Sequence, residues 1–252
     1  MNILVQLAYD GTDFAGYQVQ RGQNVRTVQN VVEHGLRELH RAPVSTVCAG
    51  RTDAGVHAVG QYISFHTTHT GIPADQFAAA LNSHMPQDVR AIQSCAVDDS
   101  FHARYSAQSR TYRYYLYNAP WELPHRCRYA WRIPVVPDVD RMNEEVEEIL
   151  GTHDFTTFAA RRDSESMVRT IHDARFTQLP GGEGVSFHIQ GDGFLWHMVR
   201  SLVGTFVDRE RRRQFGEPPT EPVTTLLLKK DRKFCGPLAP ARGLFLYDVA
   251  YP

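Results

Sequence analysis

The chain has 252 residues, enough for one large or two modest domains with a sizeable buried core. It is 42% hydrophobic and 22% charged with a formal net charge of −1, which excludes low-complexity and strongly polyionic classes. No run is long and apolar enough for a membrane span, and the N-terminus "MNILVQLAYD" lacks the charged region and cleavage site of a secretion signal. The four cysteines (Cys48, Cys95, Cys127, Cys235) are scattered without a CxxC pair. That spacing suits reduced thiols in a cytoplasmic protein and argues against both a zinc site and a disulfide framework.

In chain order, Asn2 to Tyr9 predicts a strand, followed by the Gly-rich loop "DGTDFAGYQVQRGQN". A helix is expected from Thr27, an N-cap residue, with Val28, Val32, Gly35 and Leu39 on one face. Pro43 to Ala49 is short and β-branched, and Gln61 to Thr67 alternates polar with apolar as a half-buried strand does. Between them lies "GRTDAG", whose Gly50 and Gly55 permit backbone angles that other residues avoid. A second helix is expected after Pro73, packing Phe77, Ala80 and Leu81. Arg110 to Tyr117 predicts another strand, and Asp138 to Leu150 an acidic helix with a solvated outer face. "HDARFTQLPGGEGVSFHIQ" predicts a hairpin, the run Leu195 to Phe206 a long helix, and "GLFLYDVAY" a closing strand. The pattern implies an α+β fold of two similar halves, residues 1–104 and 105–252. The halves form a mostly antiparallel mixed sheet flanked by helices, with an active-site cleft between them.

Near-neutral charge hides an asymmetry. Residues 138–148 hold six acids and one arginine, so the rest of the chain carries +4. Only three of its 27 basic residues are lysines (Lys229, Lys230, Lys233). Arginine reads phosphate in a planar, bidentate way, although a genomic preference for arginine accounts for the skew equally well.

Three stretches can carry chemistry. Arg51 and Asp53 sit at a strand-to-strand connection, where rigid walls aim side chains into a cleft. A carboxylate there acts as nucleophile, general base or metal ligand, or closes an Asx-type turn. His57 could join Asp53 on a metal or in a triad, but no HExxH, cysteine pair or GxSxG accompanies them. On "RTYRYYLYN", Arg110, Tyr112, Tyr114 and Leu116 share one face. Alternating arginine and tyrosine offers phosphate contacts beside stacking rings, or is ordinary strand filling. In "GFLWHMVRSLVG", Arg200 lies on the flank of an apolar stripe and needs a partner carboxylate that the helix does not name.

Together these stretches resemble the tRNA pseudouridine synthase A family over nearly the whole chain. "AYDGTDFAGYQVQ" with "RTVQ" resembles the family's opening, "GRTDAGVHAVGQ" its catalytic motif, and "DDSFHARYSAQSRTYRYYLYN" its second motif. "HDFTTFAA", "GFLWHMVRSLVG" and "GPLAPARGLFLYDVAYP" follow in the family's order, while "DRERRRQFGEPP" departs from it. The resemblance implies isomerisation of uridine to pseudouridine in the anticodon arm of tRNA, at its positions 38 to 40, without cofactor or metal. It implies a homodimer with one tRNA reaching across both subunits, and no membrane partner. It places Asp53 as nucleophile and Tyr112 against the uracil ring. Arg51 would hold the flipped nucleotide's place or its phosphate, with His57 and Arg110 among the substrate contacts. Arg200 would keep Asp53 ionised and oriented, which leads us to expect an ion pair between the two. Two other classes remain open from the residues themselves: a catalytically silent RNA-binding module, and a metal-dependent hydrolase using Asp53 and His57.

Overall fold

The structure is a computed structural model that describes residues 1–20, 22–69, 71–160, 166–182, 184–218 and 220–252. Arg21 in the first glycine-rich loop, Glu183 in the hairpin turn and Pro219 in "DRERRRQFGEPP" lie outside the described residues. Among the described residues, ten strands and five α-helices make an α+β fold with mostly antiparallel pairing. The chain divides into two compact units, Met1–Arg110 with Phe245–Pro252, and Thr111–Leu244.

In the first unit, strand β1 (Asn2–Tyr9) is central, as its almost fully buried apolar residues require. It runs antiparallel to both β3 (His57–His66) and β4 (Val89–Val97). The other edge of β3 is shared by a two-residue strand, β2 (Val47–Cys48), and by β10 (Leu244–Ala250), which pairs in parallel through Phe245 and His57. The alternation read over residues 61–67 holds on the inner face, where Ile63 and Phe65 are buried. The outer face is less open than expected. Ser64 lies under a turn whose Ala103 N–H donates to its hydroxyl (3.2 Å), and the Tyr62 ring meets Tyr251 edge-on.

Helix α1 (Val28–His40) begins where predicted. The Thr27 hydroxyl accepts the Asn30 N–H, and Val28, Val32, Gly35 and Leu36 face the core. Leu36 takes the buried place assigned to Leu39, one turn nearer the cap. Glu33 ties α1 to β2 by accepting from both the Thr46 N–H (2.9 Å) and hydroxyl (3.0 Å). Helix α2 (Phe77–Asn82) follows a single 3₁₀ turn after Pro73. It buries Phe77, Ala78 and Leu81, leaving Ala80 at the margin.

In the second unit, β5 (Ser109–Asn118), β7 (Gly151–Asp154), β8 (Val168–Gln178) and β9 (Val185–Gly191) lie in the order β5-β9-β8-β7. The short β6 (Trp131–Ile133) runs parallel to β5. The predicted hairpin is β8–β9, paired antiparallel from Gln178–Val185 onward. Helices α3 (Val139–Glu147), α4 (Met198–Gln214) and α5 (Val223–Lys229) complete the unit around Phe176, Phe187 and Phe206, whose rings lie 4.6 to 6.0 Å apart. Helix α4 starts three residues later than the apolar spacing suggests. His197 at its entry is left-handed (φ 66°), and Leu195 is buried in the preceding turn. An apolar period continues through such a turn because burial, not helicity, sets it.

The acidic helix is not simply a solvated face. Glu145 of α3 is buried and accepts two hydrogen bonds from Arg209 of α4 (2.9 and 3.1 Å), with Arg213 as a further partner. Along α4, Arg213 also pairs with Glu210, which is only 2% exposed, and Arg211 and Arg212 with Asp208 and Glu217. The basic run 209–213 is therefore matched by acids within its own unit. Glu145→Ala should take a shared carboxylate from Arg209 and Arg213, both partly buried, and lower stability by about 1–3 kcal/mol. Urea denaturation followed by circular dichroism reads that loss as a lower midpoint; an unchanged midpoint would show that the pair contributes nothing.

Candidate active site

The loop between β2 and β3 is held by the backbone of the glycine-rich loop, which is itself tied to α1. Helix α1 leaves its first N–H groups to carbonyls of the glycine-rich loop, with Val28 donating to Gly16 (3.2 Å) and Gln29 to Tyr17 (2.9 Å). That loop then holds the motif. Tyr17 N–H donates to the Thr52 carbonyl (3.0 Å), and Gly55 N–H donates to Phe14 (3.3 Å). A methyl group on Gly11 would lie 2.0 Å from the Val56 carbonyl oxygen, and one on Gly16 (φ 99°) 2.9 Å from that of Thr52. Neither position tolerates a side chain, which is the physical reason for glycine in "DGTDFAG".

Side chains complete the clamp. The Thr52 and Tyr9 hydroxyls share a 2.7 Å hydrogen bond in the core. Gln61 faces inward on β3, so its amide must find partners. It donates to the Gly50 carbonyl at 2.6 Å and accepts the Gly50 N–H at 3.4 Å. Within this frame Asp53 is half-buried, its carbonyl closing a turn with the Val56 N–H (3.1 Å) where Gly55 is left-handed (φ 77°). Arg51 is exposed on the same loop. Along the loop Arg51 is out, Thr52 in and Asp53 at the margin.

His57 is placed differently from an open contact residue. Only 1% exposed, it accepts the Gly11 N–H at Nδ1 (3.0 Å), lies 3.2 Å from the Asp10 carboxylate, and stacks on Phe245 at 4.6 Å. Its position braces the start of β3 against β1 and β10. Arg110 likewise serves the backbone. Its guanidinium donates to the Ala49 carbonyl (3.1 Å), to Ala107 (3.4 Å) and to Arg104, tying the turn at 102–107 to the residue that opens the motif. Burial pushes the Cys48 thiol up to about 11, partly countered by the nearby charges of Arg51 and Arg104.

In the second unit, Tyr112 is 8% exposed, with its ring edge-on to Phe194 of the turn before α4 at 5.1 Å. Two residues along the same face, Tyr114 is buried and donates to the Pro240 carbonyl at 2.6 Å; burial holds its hydroxyl far above the usual phenol range. Pro240 belongs to a strap, residues 236–243, that also fixes Arg200. The Arg200 Nε donates to the Ala239 carbonyl (2.8 Å), while the Ala239 N–H returns a bond to the Arg200 carbonyl (3.2 Å). The strap lies so close to α4 that a Cβ on Gly204 would come within 1.7 Å of the Pro237 oxygen, and one on Gly236 within 2.7 Å of Thr205. Sequence reasoning names Arg200 but misses this support. Its visible signal was the glycine that ends "GFLWHMVRSLVG" inside a helix, which costs about 1 kcal/mol unless packing requires it.

Each unit thus presents its polar residues on a rigid frame. A sequence profile of the tRNA pseudouridine synthase family matches residues 6–106 and 146–252. Curated relatives named tRNA pseudouridine synthase A agree along the full chain. The protein of Shouchella clausii is 43% identical, covering 98% of this chain and 92% of its own. That of an Exiguobacterium strain is 41% identical (97% and 96%), and that of Bacillus subtilis 39% (100% and 99%). The chain belongs to the tRNA pseudouridine synthase family. Its class is that of the isomerases that make pseudouridine. Among the described residues no helix is long and apolar enough to cross a membrane.

Proposed function

We propose that this chain converts uridine to pseudouridine in the anticodon arm of tRNA, with Asp53 as the nucleophile and no cofactor. The observation that supports the reading is the closely held "GRTDAGVH" loop, which carries Arg51 and Asp53 on a fixed frame. Isomerisation breaks the N1–C1′ bond, turns the uracil, and joins C5 to C1′. The C5 proton leaves and N1 regains one, so the reaction balances without a co-reactant. The base must leave its stack for this to happen. Asp53 acts by attack at C1′ or at C6, or by assisting elimination. Tyr112 lies against the uracil and accepts the C5 proton. Arg51 holds the place or the phosphate of the extracted nucleotide, and Arg200 pairs with the Asp53 carboxylate. His57 and Arg110, which brace the loop, support the substrate contacts through it. The working assembly is a cytoplasmic homodimer, which sedimentation equilibrium would report as twice the chain mass.

Asp53→Ala should abolish conversion while tRNA affinity changes by less than about threefold, since phosphate contacts supply most of the binding. Pseudouridine mapping and a filter-binding titration on the purified variant measure both, and turnover near wild type would remove Asp53 from its role. Tyr112→Phe keeps the ring packed on Phe194 and should cost about 10²- to 10⁴-fold in single-turnover rate. A rate equal to wild type would make Tyr112 a packing residue. Arg200→Ala removes the proposed partner of Asp53 and should lower the single-turnover rate while tRNA affinity changes little. A rate equal to wild type would remove Arg200 from this role.

A further inference from the structure

The turn that Arg110 ties to the motif carries a side chain with no evident duty in the core. Tyr105 is 76% exposed, and such a large ring normally buries more of itself. Yet it is held in place. One side rests on the His102 imidazole, with centroids 4.4 Å apart and planes at 26°. His102 cannot turn away easily, because its Nδ1 accepts the N–H groups of both Arg104 and Tyr105 (3.3 Å each). The turn is closed further by His102 N–H donating to the Ser106 hydroxyl (3.0 Å) and Ser106 N–H to the His102 carbonyl (2.9 Å). The Arg104 guanidinium lies over the Tyr105 ring, 5.4 Å from its centroid, and would have to swing toward a phosphate for a base to stack there.

This frame is continuous with that of Asp53. One guanidinium nitrogen of Arg110 donates both to the Arg104 carbonyl, beside Tyr105, and to the Ala49 carbonyl, two residues before Arg51. Arg51 and Arg104 both act on the Cys48 thiol, countering in part the effect of burial.

Building on the reading that the chain acts on an RNA uridine, we propose that Tyr105 is a stacking platform for a second base of the same strand, near the extracted uridine. His102 backs the ring, and Arg104 with Arg51 meets the adjoining phosphates. A platform of this kind grips any base by its face and is tolerant of sequence. It also offers a new surface to a base that has lost its stacking neighbour when the uridine leaves.

The test compares wild type, Tyr105→Phe and Tyr105→Ala on an intact tRNA transcript and on transcripts with one abasic residue placed at each anticodon-arm position in turn. On intact tRNA, Tyr105→Ala should raise Kd about tenfold to a hundredfold, with Tyr105→Phe within about twofold of wild type. At one abasic position wild type should weaken to the level of Tyr105→Ala, and the substitution should there have no further effect. A merely structural tyrosine would not show this coupling. The platform is overturned if Tyr105→Ala binds intact tRNA as wild type does, or if its penalty survives at every abasic position. Mapping of pseudouridine made by the wild type separates the two claims: absence of conversion defeats the proposed activity, while the Kd comparison still decides the platform.

Discussion

The close approach of one loop to another governs the first unit. Where Gly11 passes the Val56 carbonyl and Gly16 passes Thr52, two backbones meet with no side chain between them. Much else in the unit aligns on that contact. The carbonyls of residues 16 and 17 cap α1, His57 accepts the Gly11 N–H, and Thr52 reaches the Tyr9 hydroxyl in the core. Each such hydrogen bond contributes only about 1 kcal/mol. Their joint effect is geometric: the segment from Gly50 to His57 has few conformations left. A carboxylate on such a segment loses little further backbone freedom to any ligand it meets.

The second unit solves the same problem with a strap against a helix. Gly204 and Gly236 let residues 236–243 lie directly on α4, and Tyr114 fastens the strap to β5. Arg200 emerges from this contact with Nε already committed to the Ala239 carbonyl. That bond restricts its rotamer, so the entropy of ordering the side chain is spent in folding. Electrostatics differ at the far end of the same helix. There Glu145, Asp208, Glu210 and Glu217 match the arginines of 209–213. A count of basic residues in that stretch overstates what an RNA phosphate would find.

Much of this was legible in the sequence. The limits of β1, the Thr27 cap and the position of Arg51 and Asp53 between two strands follow from local rules, because propensity, pattern and turn chemistry agree there. The fate of polar side chains was less legible. His57 and Arg110 read as substrate contacts, and the structure also gives them a backbone N–H and backbone carbonyls that the sequence does not show. Sequence shows a side chain's chemistry and not which orphaned backbone group lies beside it. Gln61 could have been found, since a polar residue at inward parity on a buried strand must have a partner. The burial of Glu145 could not, because its partners lie 64 residues or more away on α4. The start of α4 was misread because Leu195 keeps the helical period while sitting in a turn.

Parallel pairing of β10 with β3 has a consequence for how the chain is made. Residues 245–252 belong to the unit otherwise built from residues 1–110, and Phe245 supplies the surface on which His57 rests. During synthesis the early segment leaves the ribosome long before its last strand exists. The edge of β3 meanwhile stays open, with the motif loop's brace missing one wall. Such a split unit has high contact order and cannot finish vectorially, so its closure waits for the whole of the second unit to be translated. Completion of the first unit therefore waits for residues 245–252, in a single late step.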